Sequence, residues 1–244
     1  MGVATKSHRS GRGSGDGGPI RGGRSLKLLL VVIGAVLLVG IVGYAVYVLK
    51  QSGPTGGPLA PPAASTATSG DGVSVGRDHA AATVDIYEDL QCVACRTYQL
   101  QSAATLDTLI DSGAARVVFH PVALLDSLSS TDYSARAAAA SGCAAQAGVF
   151  RRYLALLFAN QPPEHSAGLS NDQLIGLGRQ VQAGSGFAEC VNDGTYTHWV
   201  TQVTGAARDA GISGLPVVEV DGQRIGNTGA ALIRAVQATR QATR

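Results

Sequence analysis

The stretch EDLQCVACRTYQLQSAATLDTL, Glu88–Leu109, decides how the rest of the chain is interpreted. Its two cysteines, Cys92 and Cys95, stand where one hydrophobic pattern ends and another begins. Before them, ATVDIY (82–87) alternates apolar and polar residues, which predicts a strand with one buried face. After them, apolar side chains at helical spacing predict a helix over 96–109. The cysteines therefore lie at the junction of a strand and a helix.

The segments on either side extend this unit into an α/β fold. ARVVFHP (115–121) predicts a second strand, so strand, C-x-x-C, helix and strand form a βαβ unit. PVVEV (216–220) predicts a late strand, which an Asp-Gly hairpin signal joins to a short partner and a closing helix. The segments between the two halves are predicted to be helical, namely 133–148, 149–158, 171–182 with Ser170 as N-cap, 186–193 and 195–210. We expect an α/β core with an all-helical insertion over about 124–212.

The chain has one long apolar segment, LLLVVIGAVLLVGIVGYAVYVL (28–49), without a charge. At about 1.5 Å per residue it is long enough to cross a bilayer core of roughly 30 Å. Six basic residues precede it and only Lys50 follows, so the positive-inside rule places the N-terminus in the cytoplasm. A cleaved signal peptide is the alternative, although its apolar stretch is usually shorter. Either interpretation exports everything that follows.

The predicted domain organisation follows from composition. Residues 1–27 form a basic, low-complexity cytoplasmic tail, and residues 50–72 form a Gly/Pro/Ala/Ser/Thr linker that cannot bury a core. Residues 73–244 form the folded domain. From Gln51 onward, twelve arginines face sixteen acids, a net charge of about −4. The exported part is therefore not a basic nucleic-acid binder, and we expect the chain to sit in the cell membrane by its own single helix.

The C-x-x-C motif favours redox chemistry over two alternatives. A thiol reacts as its thiolate, and a helix N-terminus stabilises that form, so Cys92 is the candidate nucleophile and Cys95 the resolving thiol. The intervening Val93 and Ala94 carry neither charge nor proton donor. Zinc would need a second ligand pair, which the sequence lacks. A purely structural bond would close too small a loop to stabilise much. We expect no metal and no cofactor.

Cys143 and Cys190 lie alone in two predicted helices of the insertion. An even number of cysteines in an exported domain favours a second disulfide. Two buried free thiols are the alternative.

Together these features resemble a DsbA-like thiol-disulfide oxidoreductase of the thioredoxin fold, over about residues 73–240. The residues that carry the resemblance are EDLQC, the C-x-x-C at a helix start, the helical insertion, and Gly214-Leu215-Pro216-Val217 before the late strand. The phrases RAAAASGCAAQAGVFRRYLALLFANQPP, LSNDQLIGLG and FAECVNDGTYTHWV resemble membrane-anchored actinobacterial members.

The resemblance implies roles for three further positions. In that subgroup a second disulfide ties the helical insertion together, which matches Cys143 and Cys190. Pro216 matches the cis-proline that lies against the active-site disulfide, which would leave the backbone of Leu215 free to pair with an extended substrate. The residues alone would favour an ordinary trans proline at a strand start.

The sequence departs from the family pattern near the cysteines. Val93 replaces a common proline, and Leu215 replaces a common threonine, so the oxidant strength is open. Ile86 occupies the position of a buried acid that serves the resolving thiol. We take Glu88 as its substitute, while the alternative is that Asp85, Glu88 and Asp89 are all solvated acids at a strand end.

The resemblance implies a protein disulfide oxidoreductase that introduces disulfides into unfolded exported proteins. Its reoxidation would come from a membrane partner resembling DsbB or a vitamin K epoxide reductase homologue. A reductase or isomerase with the same cysteines is the first alternative, and a non-catalytic peptide-binding module is the second. The short polar linker contains no dimerisation domain of the isomerase type, so we expect a monomer.

Overall fold

A computed structural model describes residues 72–242 of the chain. The predicted cytoplasmic tail (1–27), membrane helix (28–49) and almost all of the linker (50–72) lie outside these residues. Within residues 72–242, no helix combines the length and the apolar character needed to cross a membrane.

A five-stranded mixed sheet, in the order β1-β3-β2-β4-β5, forms the centre of the domain. Its strands are β1 (Val73–Val75), β2 (Ala82–Glu88), β3 (Ala115–Pro121), β4 (Val217–Val220) and β5 (Gln223–Ile225). β2 runs parallel to β3, and every other neighbouring pair is antiparallel. The parallel pair is the predicted βαβ unit. The sequence analysis missed β1, because three residues are too few to show an alternating pattern.

Seven α-helices complete the described part of the chain. α1 (Val93–Asp111) crosses over from β2 to β3, and α7 (Gly229–Ala242) follows β5. The five helices between β3 and β4 form the predicted insertion, after a 3₁₀ turn at Asp126–Leu128. The bounds are α1 (Val93–Asp111), α2 (Tyr133–Gln146), α3 (Phe150–Ala159), α4 (Asn171–Gln180), α5 (Gly186–Asn192), α6 (Thr197–Asp209) and α7 (Gly229–Ala242).

The helix ends follow local capping chemistry. α1 begins three residues earlier than predicted, because Cys92 itself is its N-cap. The N-cap of α4 is the predicted Ser170, whose hydroxyl accepts the Gln173 N–H in a capping box. The alanine-rich run is interrupted between α2 and α3, where Gly148 has a φ of 70° that a residue with a Cβ rarely adopts.

One face of the sheet carries the core. The side chains of Val84 and Ile86 are fully buried, and Phe119 of β3 packs on Phe150 of α3 with 5.3 Å between ring centroids. Because side chains alternate along a strand, Glu88 at the end of β2 points to this same buried face. The regular alternation that buries the core therefore also buries an acid.

The insertion is packed closely and cross-linked. A Cβ on Gly142 of α2 would lie 2.6 Å from Cγ of Tyr196, so only glycine allows this approach. The neighbouring Cys143 forms a disulfide with Cys190 of α5. This bond joins two helices that are separated by 47 positions in the sequence.

Replacing both of these cysteines, as Cys143→Ala/Cys190→Ala, should lower the free energy of unfolding by roughly 4 kcal/mol, since the open chain regains loop entropy. Urea denaturation monitored by circular dichroism measures this loss. A matched control is wild type under conditions that leave the disulfide intact. A loss below about 1 kcal/mol would show that the bond does not restrain the unfolded chain as this entropy argument requires.

Candidate active site

The two cysteines of the C-x-x-C motif lie at the first turn of α1, where the chain leaves β2. Cys92 is the N-cap residue, and its Sγ accepts a hydrogen bond from the backbone N–H of Cys95 at 3.1 Å. Cys92 is 6% exposed and Cys95 is fully buried, whereas Val93 between them is 52% exposed. A reagent or substrate therefore approaches the motif at Cys92, beside an apolar surface residue.

The environments of the two thiols differ. The hydrogen bond from the Cys95 thiol, helped by backbone N–H groups of Cys95 and Ala94, lowers the pKa of Cys92 against the raising effect of its burial. Burial raises the pKa of Cys95, and the adjacent Cys92 sulfur raises it further. These shifts favour the thiolate form of Cys92 and the protonated form of Cys95. This is the division of roles expected for a nucleophile and a resolving thiol.

Glu88 and Asp89, which immediately precede this turn, are both fully buried. The alternative that the acids at this strand end are all solvated is therefore wrong for these two. Both acids are buried because of the tertiary structure around them. β2 turns the side chain of Glu88 toward the core, and the active-site turn encloses the side chain of Asp89. Asp85 points to the opposite face, where its carboxylate lies 2.9 Å from Nε2 of His120.

The Glu88 carboxyl is held in an apolar environment with little compensation. Gln99, one turn after Cys95 on α1, donates to its Oε2 at 2.6 Å, while Oε1 has no hydrogen-bond partner among the described residues. Burial raises the pKa of Glu88 to about 8, against the opposing effects of Gln99 and Arg151. The carboxyl therefore carries a proton at neutral pH. In its ionised form it raises the pKa of Cys95, and a Cys92 thiolate raises the pKa of Glu88 in turn.

Asp89 holds the active-site turn from the inside. Its Oδ1 accepts hydrogen bonds from the Gln91 N–H at 2.9 Å and from the Ser134 hydroxyl at 2.6 Å. Its Oδ2 accepts the Leu125 N–H at 2.9 Å. One buried carboxyl thus connects the turn before Cys92 with the loop after β3 and with the first helix of the insertion.

The Leu215–Pro216 peptide bond is cis in the structure. Pro216 is buried, Leu215 is half-buried, and the Asn227 side chain donates to the Pro216 carbonyl at 2.8 Å. Tyr87 pairs with Val217 in the antiparallel β2–β4 ladder. Pro216 therefore lies at the end of the sheet where β2 leads into the active-site turn.

Gln161 is a residue of this site that the sequence analysis missed. It follows α3, 69 positions after Cys92, and its Nε2 donates to the carbonyl oxygens of Leu90 at 2.9 Å and Cys92 at 3.0 Å. A glutamine in a loop carries no periodicity and no motif, so no sequence signal could have indicated it. Within residues 72–242, no cluster of three His, Cys, Asp or Glu side chains suited to a metal ion occurs.

Replacing Glu88 with Gln should change the pH dependence of stability. The folded-state pKa of about 8 lies above the ordinary value of 4.5, so wild type loses stability as pH rises from about 4.5 to 8. Glu88→Gln removes this loss and should be more stable than wild type by on the order of 4 kcal/mol at pH 8. The difference should vanish near pH 4.

Denaturant titrations at several pH values measure this difference, with the exposed Glu164→Gln as the matched control. Parallel pH profiles for Glu88→Gln and wild type would show that Glu88 is ionised in the folded protein at neutral pH.

Comparisons with known proteins agree with this geometry. Residues 68–238 match the thioredoxin family. DsbA from Mycobacterium tuberculosis in its reduced form is 31% identical, with a TM-score of 0.63 over 70% of this chain and 92% of that one. DsbG from the same organism, described as a disulfide bond oxidoreductase, is 33% identical, with a TM-score of 0.60 over 71% and 86% of the two chains.

A segment of the serine/threonine-protein kinase PknE from M. tuberculosis is 32% identical over 131 residues, which is 51% of this chain. The match spans 23% of the kinase, so less than a quarter of that protein is represented here. The family match covers more than half of the chain and includes both active-site cysteines. The chain therefore belongs to the thioredoxin family and is a DsbA-like thiol-disulfide oxidoreductase.

Proposed function

We propose that the chain is an extracytoplasmic oxidase that introduces disulfides into exported proteins through Cys92 and Cys95. The observation that carries this proposal is the asymmetry of the two thiols. Cys92 caps α1, accepts the Cys95 N–H and has a lowered pKa, while Cys95 is fully buried and has a raised pKa. Such a pair supports exchange through one defined sulfur.

The first step forms a mixed disulfide. A thiolate of the unfolded substrate attacks Sγ of Cys92 in the oxidised enzyme, a new sulfur–sulfur bond forms, and the Cys92–Cys95 bond breaks. The electron pair of that bond leaves on Cys95. Because burial makes a Cys95 thiolate unfavourable, this sulfur needs a proton as it leaves.

Glu88 is our candidate for the source of that proton. It is buried, it carries a proton at neutral pH, and Gln99 fixes one of its oxygens close to the face of α1 that bears Cys95. Glu88 would protonate Cys95 during substrate oxidation and take the proton back during reoxidation. Ile86 stands at the position where relatives have a buried acid, and Ile86 cannot transfer a proton. Glu88 would supply that buried acid two residues later in the same strand.

The second step releases the product. A second substrate thiolate attacks the substrate sulfur of the mixed disulfide, so the substrate becomes oxidised and Cys92 leaves as a thiolate. The factors that lower the pKa of Cys92 make it a good leaving group and stabilise the reduced enzyme. A stabilised reduced form makes the disulfide a stronger oxidant, which favours the oxidase over a reductase.

The surroundings of Cys92 suit an extended, partly apolar substrate. Val93 is largely exposed, and the half-buried Leu215 precedes β4 at the same end of the sheet. We infer that the backbone of Leu215 pairs with substrate by β-augmentation. Reoxidation would come from a membrane partner resembling DsbB or a vitamin K epoxide reductase homologue, with residues 28–49 holding the domain beside it.

The thiol chemistry can be tested with reduced, unfolded RNase and with a peptide that contains one cysteine. The oxidised wild-type chain should restore RNase activity, and Cys92→Ser should not. Cys95→Ser, activated at Cys92 by an aromatic disulfide, should retain the single-cysteine peptide as a stable mixed disulfide, because only Cys95 could release it. Glu88→Gln should oxidise RNase more slowly than wild type at pH 7. Equal activity of Cys92→Ser and wild type would disprove the redox role and leave a peptide-binding module as the better hypothesis.

The direction of electron flow is tested by the equilibrium potential of Cys92–Cys95 against glutathione. A value near about −120 mV supports the oxidase, whereas a value near about −270 mV would contradict it in favour of a reductase.

The proposed location predicts how the domain responds to protease added outside intact cells. The domain over 73–244 should be digested while a cytoplasmic marker survives, and the undigested chain should stay with the membrane fraction. Protection of the domain until the cells are lysed would contradict export. Release of the domain into the medium would instead support a cleaved signal peptide.

A further inference from the structure

The loop after α3 places one polar side chain directly on the active-site turn. Gln161 is half-buried, and its two amide hydrogens reach two carbonyl oxygens, those of Leu90 and Cys92, at 2.9 Å and 3.0 Å. The backbone of Gln161 is itself fixed to the end of α3, where its N–H donates to the Phe158 carbonyl at 3.4 Å. Phe158 is buried, so the side chain extends from a well-packed helix.

These two carbonyls flank the peptide units that determine the conformation of Cys92. The turn before it is closed by the Cys92 N–H donating to the Asp89 carbonyl at 3.0 Å. Cys92 then adopts φ −75° and ψ 115°, the extended conformation of an N-cap residue. Its carbonyl already accepts the Arg96 N–H at 3.1 Å as the first bond of α1. The Gln161 amide is a second donor on the same oxygen.

The ψ angle of Cys92 sets the orientation of its carbonyl relative to its side chain. A donor held on the carbonyl oxygen therefore restrains ψ and with it the position of Cβ, which carries Sγ within reach of the Cys95 N–H. In the observed conformation Sγ faces the Cys95 N–H, and this hydrogen bond helps to stabilise the thiolate. Gln161 does not need to touch the sulfur to affect its chemistry.

We propose that Gln161 is a positioning residue, through which the helical insertion holds Cys92 in its thiolate-stabilising conformation. The inference rests on the proposed role of Cys92 as the nucleophile. It gives the insertion a direct effect on the redox centre, in addition to any contact that the insertion makes with substrate. The buried Asp89 carboxylate accepts a hydrogen bond from the Gln91 N–H of the turn, and Gln161 donates to the turn's Leu90 and Cys92 carbonyls.

Gln161→Met tests this proposal, because methionine is similar in size and unbranched but cannot donate. The pKa of Cys92 should rise by about half a unit or more, which lowers the ratio of thiolate to thiol at a given pH roughly threefold. The rise is measured by thiolate absorbance in the far ultraviolet and by the pH dependence of the iodoacetamide reaction. Gln202→Met, an exposed glutamine of α6, is the matched control and should leave the pKa unchanged.

Two further measurements make the outcome decisive. Circular dichroism and the unfolding midpoint establish that the variant is folded, and Gln161→Ala serves as a smaller truncation if methionine disturbs the loop. An unchanged Cys92 pKa in a folded variant overturns the proposal, and failure of both variants to fold makes Gln161 a purely structural residue. A wild-type Cys92 that does not exchange thiols would instead disprove the proposed function, so the two failures are distinguishable.

Discussion

The hydrogen bond from the Cys95 N–H to Sγ of Cys92 is the interaction on which the rest of the site depends. It exists only because the chain changes from strand to helix at Cys92, which leaves backbone donors of the first helical turn without partners inside the helix. A cysteine side chain occupies the place that a serine or aspartate usually takes at an N-cap. Structural capping and activation of the thiol are here the same contact.

The other polar contacts of the site keep this turn in place. Asp89 accepts from Gln91, Ser134 and Leu125, and Gln161 donates to Leu90 and Cys92. The Asp89 contacts join the active-site turn to the loop after β3 and to α2, and the Gln161 contacts join it to the loop after α3. The insertion is thus part of the framework of the redox centre, and its disulfide ties α2, which bears Ser134, to α5.

Unlike these stabilising contacts, the buried Glu88 carboxyl lowers the free energy of unfolding as pH rises. A protonated carboxyl at the end of a buried strand face, with one oxygen unpartnered among the described residues, destabilises the fold as pH rises. An apolar residue at this position would pack as well without that cost. Such local conflicts are expected where chemistry rather than stability selects the residue, because a carboxyl with a pKa near 8 can both give and take a proton near neutral pH.

The local sequence determined the secondary structure around the cysteines and the assignment of the chain to the thioredoxin fold. The signals used were local: the alternation in ATVDIY, the C-x-x-C at a helix start and the late PVVEV strand. Each is a pattern of hydrophobic periodicity or helix capping within a few consecutive residues. The three-residue β1 was missed because it is too short for any such signal. The burial of Asp89, the hydrogen bonds of Gln161 to the active-site turn and the contact of Gly142 with Tyr196 were decided by tertiary structure alone. These features depend on which distant segments the fold brings together, and a single sequence contains no periodic pattern that records such pairings.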